Sequence, residues 1–585
     1  MKLPGLFTRK NVIIGSSALV VALVAGGFFF LRRPPRVSME RYAAADALAF
    51  VEVDSLTDLV DGLTHTKAWR ELGPVLGLSG QLGQVGFVAD LIGRTGLGPD
   101  EAVVAGRAQY AIAMTGLESN AGETEEGAYI QLKPHLALII ETHLKPETST
   151  RLVRDRAPII AQRIYGESVA EESEDYRGAR LSVFRSPEPG RQLLASASGS
   201  VVLIANHADA IKSCLDAIGG RVPSLVEDST LKQTRGEVGT DPSVFGYVTS
   251  SGIQKLVELS PLLFAGGSSA AETANSVSDL VEHLSNQAIN GLLYSAKFEA
   301  GDVTEKYLTL LRAEVSEALA EPLKPAPAGT FETLGFIPRE VESLIVLNVE
   351  RAGELPERVF KRLSPTVDIV AGVALREFVI NLRKQYGLEP SDSAGDAVGS
   401  EIAIVKFGDD QPRAMVVTVN DEAKLKGVVA RYLRRKGASV TNEQYNGTEI
   451  MVSSSDDRRA AAFVGTVLVL GTRDQIVKSI ETGAARNGLD GDERLKQIIS
   501  SRPANTSIVS YRRRAEDAGK LLLGISKLTR VTDGSQELLE RDSARRAVDR
   551  LPPSGSYTEF RNNGIFVETR SAVGNFGLLG SLTGE

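Results

Sequence analysis

Val202-Leu-Ile-Ala-Asn-His-Ala-Asp-Ala-Ile211 reads as a buried strand that runs into a helix, and Val467-Leu-Val-Leu-Gly-Thr-Arg-Asp-Gln-Ile476 reads the same way. Each opens on an apolar run and reaches a short polar residue suited to cap a helix, Asn206 in the first and Thr472 in the second. Thr472 and Gln475 have the spacing of a capping box. The amphipathic stripe that follows, Ile211, Cys214, Leu215 and Ile218, corresponds to Ile476, Ser479, Ile480 and Gly483. Two more pairs flank these stretches. Tyr176-Arg-Gly-Ala-Arg-Leu181 matches Tyr445-Asn-Gly-Thr-Glu-Ile450 upstream, and Asp228-Ser-Thr-Leu-Lys-Gln233 matches Asp492-Glu-Arg-Leu-Lys-Gln497 downstream. The order is the same and the spacing nearly constant. The pattern predicts two diverged copies of one domain, residues 40–320 and 331–585, joined by a proline-rich linker over 321–330.

Working outward, each copy opens on a β-rich run, Leu48-Ala-Phe-Val-Glu-Val53 against Leu344-Ile-Val-Leu-Asn-Val349. Helices are expected over 56–63 and 85–92 in the first copy and 370–386 in the second. A strand pair follows, 109–114 with 135–140 matching 401–405 with 413–417. The next helix carries Leu425, Val428, Val429, Tyr432 and Leu433 on one face, with Val153, Ala157, Ile160 and Ile164 as the earlier counterpart and Pro158 as an expected kink. Each copy closes with a hairpin, 291–298 with 303–310 and 556–560 with 565–569. Strands clustered in hairpins with helices between the clusters predict an α+β fold, each domain a mainly antiparallel sheet covered by helices. The simple βαβ alternation of a dinucleotide-binding domain is missing. The acidic stretch Glu118 to Glu126 is extra to the first copy and reads as a solvated hairpin tip, and the run Glu171, Glu172, Glu174, Asp175 reads as a solvated loop.

Ahead of the copies lies a membrane anchor. Residues 11–31 carry no charge and are mostly apolar, and about 20 helical residues span a hydrocarbon core. Residues 1–10 form a basic tail with Lys2, Arg9 and Lys10, and Arg32, Arg33 and Arg36 follow in the spacer 32–39. The core ends Gly26-Gly-Phe-Phe-Phe-Leu31 without a small-x-small cleavage site, so the segment reads as an uncleaved signal anchor. A short basic tail held in the cytoplasm puts the body outside it. Ala18, Ala22 and Gly26 fall on one helix face and would permit self-association, although such spacing is common in spans.

The basic tail, single span, short spacer and opening Ala44-Ala-Asp-Ala-Leu-Ala-Phe-Val-Glu-Val53, with the later 202–211 stretch, resemble an uncharacterised bacterial family of single-pass membrane-anchored proteins of unknown function. The resemblance implies a bacterial envelope location, and with the anchor and its basic tail the expected place is the cytoplasmic membrane with most of the chain extracytoplasmic. It carries no activity or catalytic residues over to this chain.

Composition excludes several classes. The net charge of −8 speaks against nucleic acid as a partner. A lone cysteine, Cys214, excludes an intramolecular disulfide framework and a cysteine-rich zinc site. No nucleophile elbow, phosphate loop or dinucleotide fingerprint is present, and no cofactor is expected. The five histidines, His65, His135, His143, His207 and His283, form no close metal-binding pair in sequence. His135 and His143 would lie about 26 Å apart along an extended strand. His207 and Cys214 sit two helical turns apart, about 10 Å, which is too far for a nucleophile and its base. All five histidines are therefore read as structural or surface groups. Asp490-Gly-Asp492-Glu493 lacks the other ligands of a calcium loop and reads as a turn.

Two basic clusters separate the copies. Arg512, Arg513 and Arg514 match Thr249 to Ser251, and Arg434, Arg435 and Lys436 match Arg163 to Tyr165. They are candidate partner-binding residues for an acidic protein, lipid or glycan, weighed against ordinary solvated charge. Together these features predict a membrane-tethered binding or scaffold protein of the bacterial cell envelope with a protein partner there. The alternatives are an envelope enzyme, hydrolase-like and without a recognisable motif, or a carrier of an apolar ligand.

Overall fold

A computed structural model describes residues 35–76, 99–124, 127–188, 190–258, 287–327, 331–385, 394–408, 411–455, 459–513 and 542–574. The anchor 11–31, the helix expected over 85–92 and Arg514 lie outside the described residues. Among the described residues no helix is long and apolar enough to cross a membrane.

The strands of the first half are β1 Ala49–Val53, β2 Gln109–Thr124, β3 Gly127–Glu141, β4 Ala170–Tyr176, β5 Ala179–Arg185, β6 Gln192–Ser198, β7 Val201–Ala205, β8 Val244–Val248, β9 Ile289–Glu299 and β10 Asp302–Leu311. Those of the second are β11 Ser343–Asn348, β12 Val398–Lys406, β13 Ala414–Val419, β14 Val440–Tyr445, β15 Thr448–Ser453, β16 Arg459–Val464, β17 Val467–Thr472, β18 Thr506–Arg512, β19 Ser554–Arg561 and β20 Gly564–Ser571. Every pairing is antiparallel. The first half runs β4-β5-β6-β7-β3-β2-β1-β8-β9-β10 across the sheet. The second runs β14-β15-β16-β17-β13-β12-β11-β18-β19-β20, the same plan strand for strand. β10 pairs with β20, so the two plans meet at their last strands and form one continuous antiparallel sheet of an α+β fold, with a palindromic strand order.

Local chemistry explains why the matched sequences matched. Tyr176 and Tyr445 each end a strand before a two-residue turn, Arg177-Gly178 and Asn446-Gly447, in which both residues have positive φ. That is the turn whose twist suits a hairpin, and glycine adopts it without strain. Each tyrosine then donates from its hydroxyl to a carboxylate on a following helix: Tyr176 to Asp216 at 2.9 Å and Tyr445 to Glu481 at 2.5 Å. Asp228 caps the helix Ser229–Thr234 and Asp492 caps Glu493–Ser501, each accepting first-turn backbone N–H groups. Asp490 thus belongs to a turn, as expected, and Asp492 is in addition the cap of the helix that follows.

Packing repeats with the same logic. One face of the first half buries Phe50, Ala113, Ile139 and Leu203 under Ile211, Cys214 and Leu215 of the helix Ala208–Ile218. In the second, Leu344, Ala403, Val416 and Val469 lie under Ile476 and Ile480 of Arg473–Ala485. The opposite face takes the helix Pro146–Tyr165 against Phe184, Leu193 and Val202, and Glu422–Leu433 against Ala461 and Leu468. Between the halves, Trp69 and Leu72 pack against Ala544, Ala547 and Leu551. Leu363 and Leu375 in turn pack against Ala288, Val315 and Ala318. Asp302 binds both Lys67 of its own half and Arg494 of the other, at 3.1 and 3.0 Å. The expected linker packs on the second half, with Leu323 and Ala326 buried and the Glu350 N–H donating to the Lys324 carbonyl.

Several expectations are corrected. The match of Leu48 with Leu344 slips by two residues: Phe50 opposite Tyr247 and Leu344 opposite Tyr511 hold the same place in the pairing plan. A slip of two leaves every side chain on its own face, so the apolar pattern could not detect it. The acidic run 171–175 is strand β4 rather than a loop, and charged residues on an edge strand discourage pairing with another chain. The helix Pro146–Tyr165 runs through Pro158, and its buried row is Ser149, Val153, Ala157 and Ala161. Ile164 is 59% exposed and lies at the mouth of a cleft, while its neighbour Tyr165 packs against the core under the helix.

Candidate functional site

The first half holds a cleft of about 940 Å³ between the β2–β3 arm, the end of the helix Pro146–Tyr165 and the β5–β6 connection. Its walls bring together His135, His207, Glu118, Arg185, Arg191 and the apolar Ile164.

His135 sits on β3 opposite Gly116 of β2, just after a register shift between Met114 and Gly116. Glycine is needed there: a Cβ at position 116 would come within 2.8 Å of His135 Nδ1. His207 arrives from the neighbouring strand. Ala205, the last residue of β7, pairs with Ala137 of β3, and Asn206 then bonds back across the sheet. The Leu136 N–H donates to Asn206 Oδ1 at 2.8 Å, and Asn206 Nδ2 donates to the Pro134 carbonyl at 2.8 Å. The residue before His207 therefore grips the backbone on both sides of His135. The two imidazoles stack at 3.6 Å between centroids, 7° from parallel.

Asn206, expected to cap the helix Ala208–Ile218, is occupied by this clamp. His207 is the cap instead, its Nδ1 accepting the Asp209 N–H at 3.3 Å. Glu118 reaches His135 Nε2 at 3.2 Å from the extended β2 arm. Among the described residues, one ligand atom from each of Glu118, His135 and His207 lies within 4.8 Å of the others. His135 is largely enclosed, with 13% of its side chain exposed, whereas His207 and Glu118 open to the cleft at 34% and 56%.

The rim is charged and braced. Arg185 donates to Glu172 and Gln192 at 3.2 and 3.3 Å, and Arg191 pairs with Glu188 at 2.8 Å. Partial burial pushes the Tyr165 phenol up, and the Arg191 guanidinium pulls it the other way.

The pairing plan assigns the same places in the second half. The β3–β7 and β13–β17 registers set Pro412 where His135 stands, and Thr472 is the helix cap where His207 is. Asn206 is an extra residue of the first half between strand and cap. Among the described residues the strand arm that carries Glu118 has no counterpart, since β12 ends at Lys406 and β13 begins at Ala414.

The order of residues along the chain hides this cluster. Along the chain His207 is nearest to Cys214 on one helix and His135 to His143 just past the end of one strand, whereas the meeting occurs between neighbouring strands. The signals that could have found it are the first-half-only histidines next to the first-half-only acidic arm. Cys214 is fully buried, and burial pushes its thiol up to about 12, so it stays protonated and inert.

The basic clusters lie elsewhere. Arg512 ends β18, and the pairing plan matches it with Val248, one residue from the expected Thr249. Arg513 donates from Nη1 to the Glu340 carbonyl at 3.1 Å. Arg434 follows the helix Glu422–Leu433 on the surface, and Arg435 donates to the Lys384 carbonyl. Lys436 belongs to the short turn after that helix. The arginines whose bonds are described hold main-chain carbonyls, and among the described residues Arg434, Arg435, Arg512 and Arg513 do not line the cleft.

No protein-family model matches the chain, and no curated protein or solved structure is significantly similar to it.

Proposed function

We propose that this chain is a membrane-tethered binding protein of the bacterial cell envelope, held by residues 11–31 and acting through two extracytoplasmic copies of one domain. The observation that carries the reading is the inequality of the halves. They share one strand plan, yet among the described residues the histidine–carboxylate cleft and the arm that builds it belong to the first half. In this reading the second copy is the structural mate. Strand pairing and a shared apolar core fix it to the first, so the pair presents the cleft on a rigid body instead of across a hinge. The exposed Ile164 beside charged arginines suits a protein partner that brings an apolar side chain and an acidic group. The clusters at Arg434, Arg435 and Lys436 and at Arg512, Arg513 and Arg514 offer a secondary docking surface for the same acidic partner.

Site-specific photocrosslinking in native membranes tests this. A photoreactive side chain in place of Ile164 is expected to yield one dominant protein adduct. The same group on the exposed face of the second half, in place of Glu449, is expected to yield none. Equal or absent adducts from both positions would refute the reading.

A further inference from the structure

We propose that Glu118, His135 and His207 form a binding site for one divalent transition ion of the zinc type, with its remaining position open to the cleft. The inference names what the cleft of the proposed binding reading uses to hold a ligand.

The donor set is the first argument. Two imidazoles and one carboxylate are the ligands that zinc and its neighbours in the first transition row prefer, and three protein ligands leave a position for water or a ligand group. Spacing is the second. Ligands about 2.0–2.1 Å from a tetrahedral ion stand about 3.3 Å from one another. His135 Nε2 and Glu118 Oε1 are 3.2 Å apart, already the edge of such a tetrahedron. A ring nitrogen of His207 lies within 4.8 Å of both. Parallel rings do not aim two lone pairs at one point, so His207 must turn about its Cβ–Cγ bond, a torsion with a broad well. Asp209 supports that turn. Binding through Nε2 trades away the cap that Nδ1 holds on the Asp209 N–H: in the turned ring Nδ1 carries the proton and has the Asp209 carboxylate, now 3.6 Å away, as the outer-shell acceptor that metal-bound imidazoles commonly have.

Much of the local backbone is arranged around the pair. The register shift at Met114/Gly116, a glycine that leaves room for His135, and an extra Asn206 that clamps both flanks of His135 all converge here. A histidine that merely fills surface needs none of these.

The test is zinc titration of the metal-stripped full-length protein in detergent against a chromophoric chelator near neutral pH. One Zn²⁺ per chain is expected. His135→Gln and His207→Gln should each weaken binding at least about tenfold, the cost of losing a ligand or its support. Glu118→Gln serves as the variant least able to disturb folding, because Glu118 is exposed on the arm, and it should weaken binding in the same direction. His65→Gln should leave binding unchanged. Co²⁺ absorption gives a direct readout of coordination and should lose its visible bands in all three ligand variants. Zinc binding equal to wild type in His135→Gln and His207→Gln, or no binding tighter than millimolar in the wild-type protein, would overturn the proposal. Crosslinking through Ile164 that persists without zinc binding would remove the metal alone and leave the partner-binding reading standing.

Discussion

Lys306 and Glu568 face each other across the β10–β20 seam, and each holds the other's place in its own half. The hairpin turns fix the equivalence, since Glu299 pairs with Asp302 as Arg561 pairs with Gly564. Counting from the turns, Lys306 and Glu568 are the same position. The seam register is unchanged when the halves are exchanged: Val303 pairs with Ser571, and Thr309 with Ile565. The local two-fold axis therefore passes between Lys306 and Glu568, whose charged groups approach to 3.8 Å. In two identical chains this place would set like charge against like. Two halves of one chain can place a lysine opposite a glutamate.

Reversing the charge at this point should loosen the seam. Lys306→Glu puts a second carboxylate against Glu568, which is nearly buried and also accepts the Tyr557 hydroxyl. A loss of about 1–2 kcal/mol is expected, below the cost of breaking a fully buried pair because Lys306 is one-third exposed. The exchange Lys306→Glu with Glu568→Lys should recover part of it. Denaturant unfolding of the single and double variants measures the coupling, and additive losses would exclude a direct interaction.

The two aspartate caps should contribute unequally. Asp492 accepts one backbone N–H of its helix, from Leu495. Asp228 accepts two, from Thr230 and Leu231, and also meets the Tyr247 hydroxyl at 3.3 Å. Asp492→Ala should cost about 1 kcal/mol and Asp228→Ala about 2. Equilibrium unfolding checks the order, and a larger loss at Asp492 would contradict it.

Alkaline pH should destabilise the first half through Tyr110. Burial pushes its phenol up from 10 to about 12, while its hydroxyl donates to the Ala105 carbonyl at 2.6 Å. The folded state holds the proton more tightly than the unfolded chain, so this contribution is complete below pH 10 and is lost as pH rises toward 12. Tyr511 behaves alike: burial, helped by Asp492 and opposed by Arg513, pushes it up to about 12. Stability followed through that window should fall less steeply in Tyr110→Phe than in wild type. Parallel slopes would show that the Tyr110 proton is not involved.

Turns, caps and alternating strands were legible because they depend on neighbours in the chain. The positive-φ pair after Tyr176 and Tyr445 needs a glycine, and the cap at Thr472 needs a short acceptor beside free N–H groups with Gln475 three residues on. The two-residue slip at β1, the strand identity of the acidic run and the outward turn of Ile164 were hidden for the converse reason. Each depends on what lies across the sheet, and period-2 alternation is blind to a shift of two.

The sequence by itself determined an α+β chain whose two halves repeat the same strands, turns and caps, since these follow from local sterics and hydrogen bonding. Only the tertiary structure decided that β10 pairs with β20, that Lys306 meets Glu568 on the axis, and that His135 and His207 stack beside Glu118. Such meetings are set by strand register between residues far apart in the chain, and register is decided where complementary faces and edges close on one another.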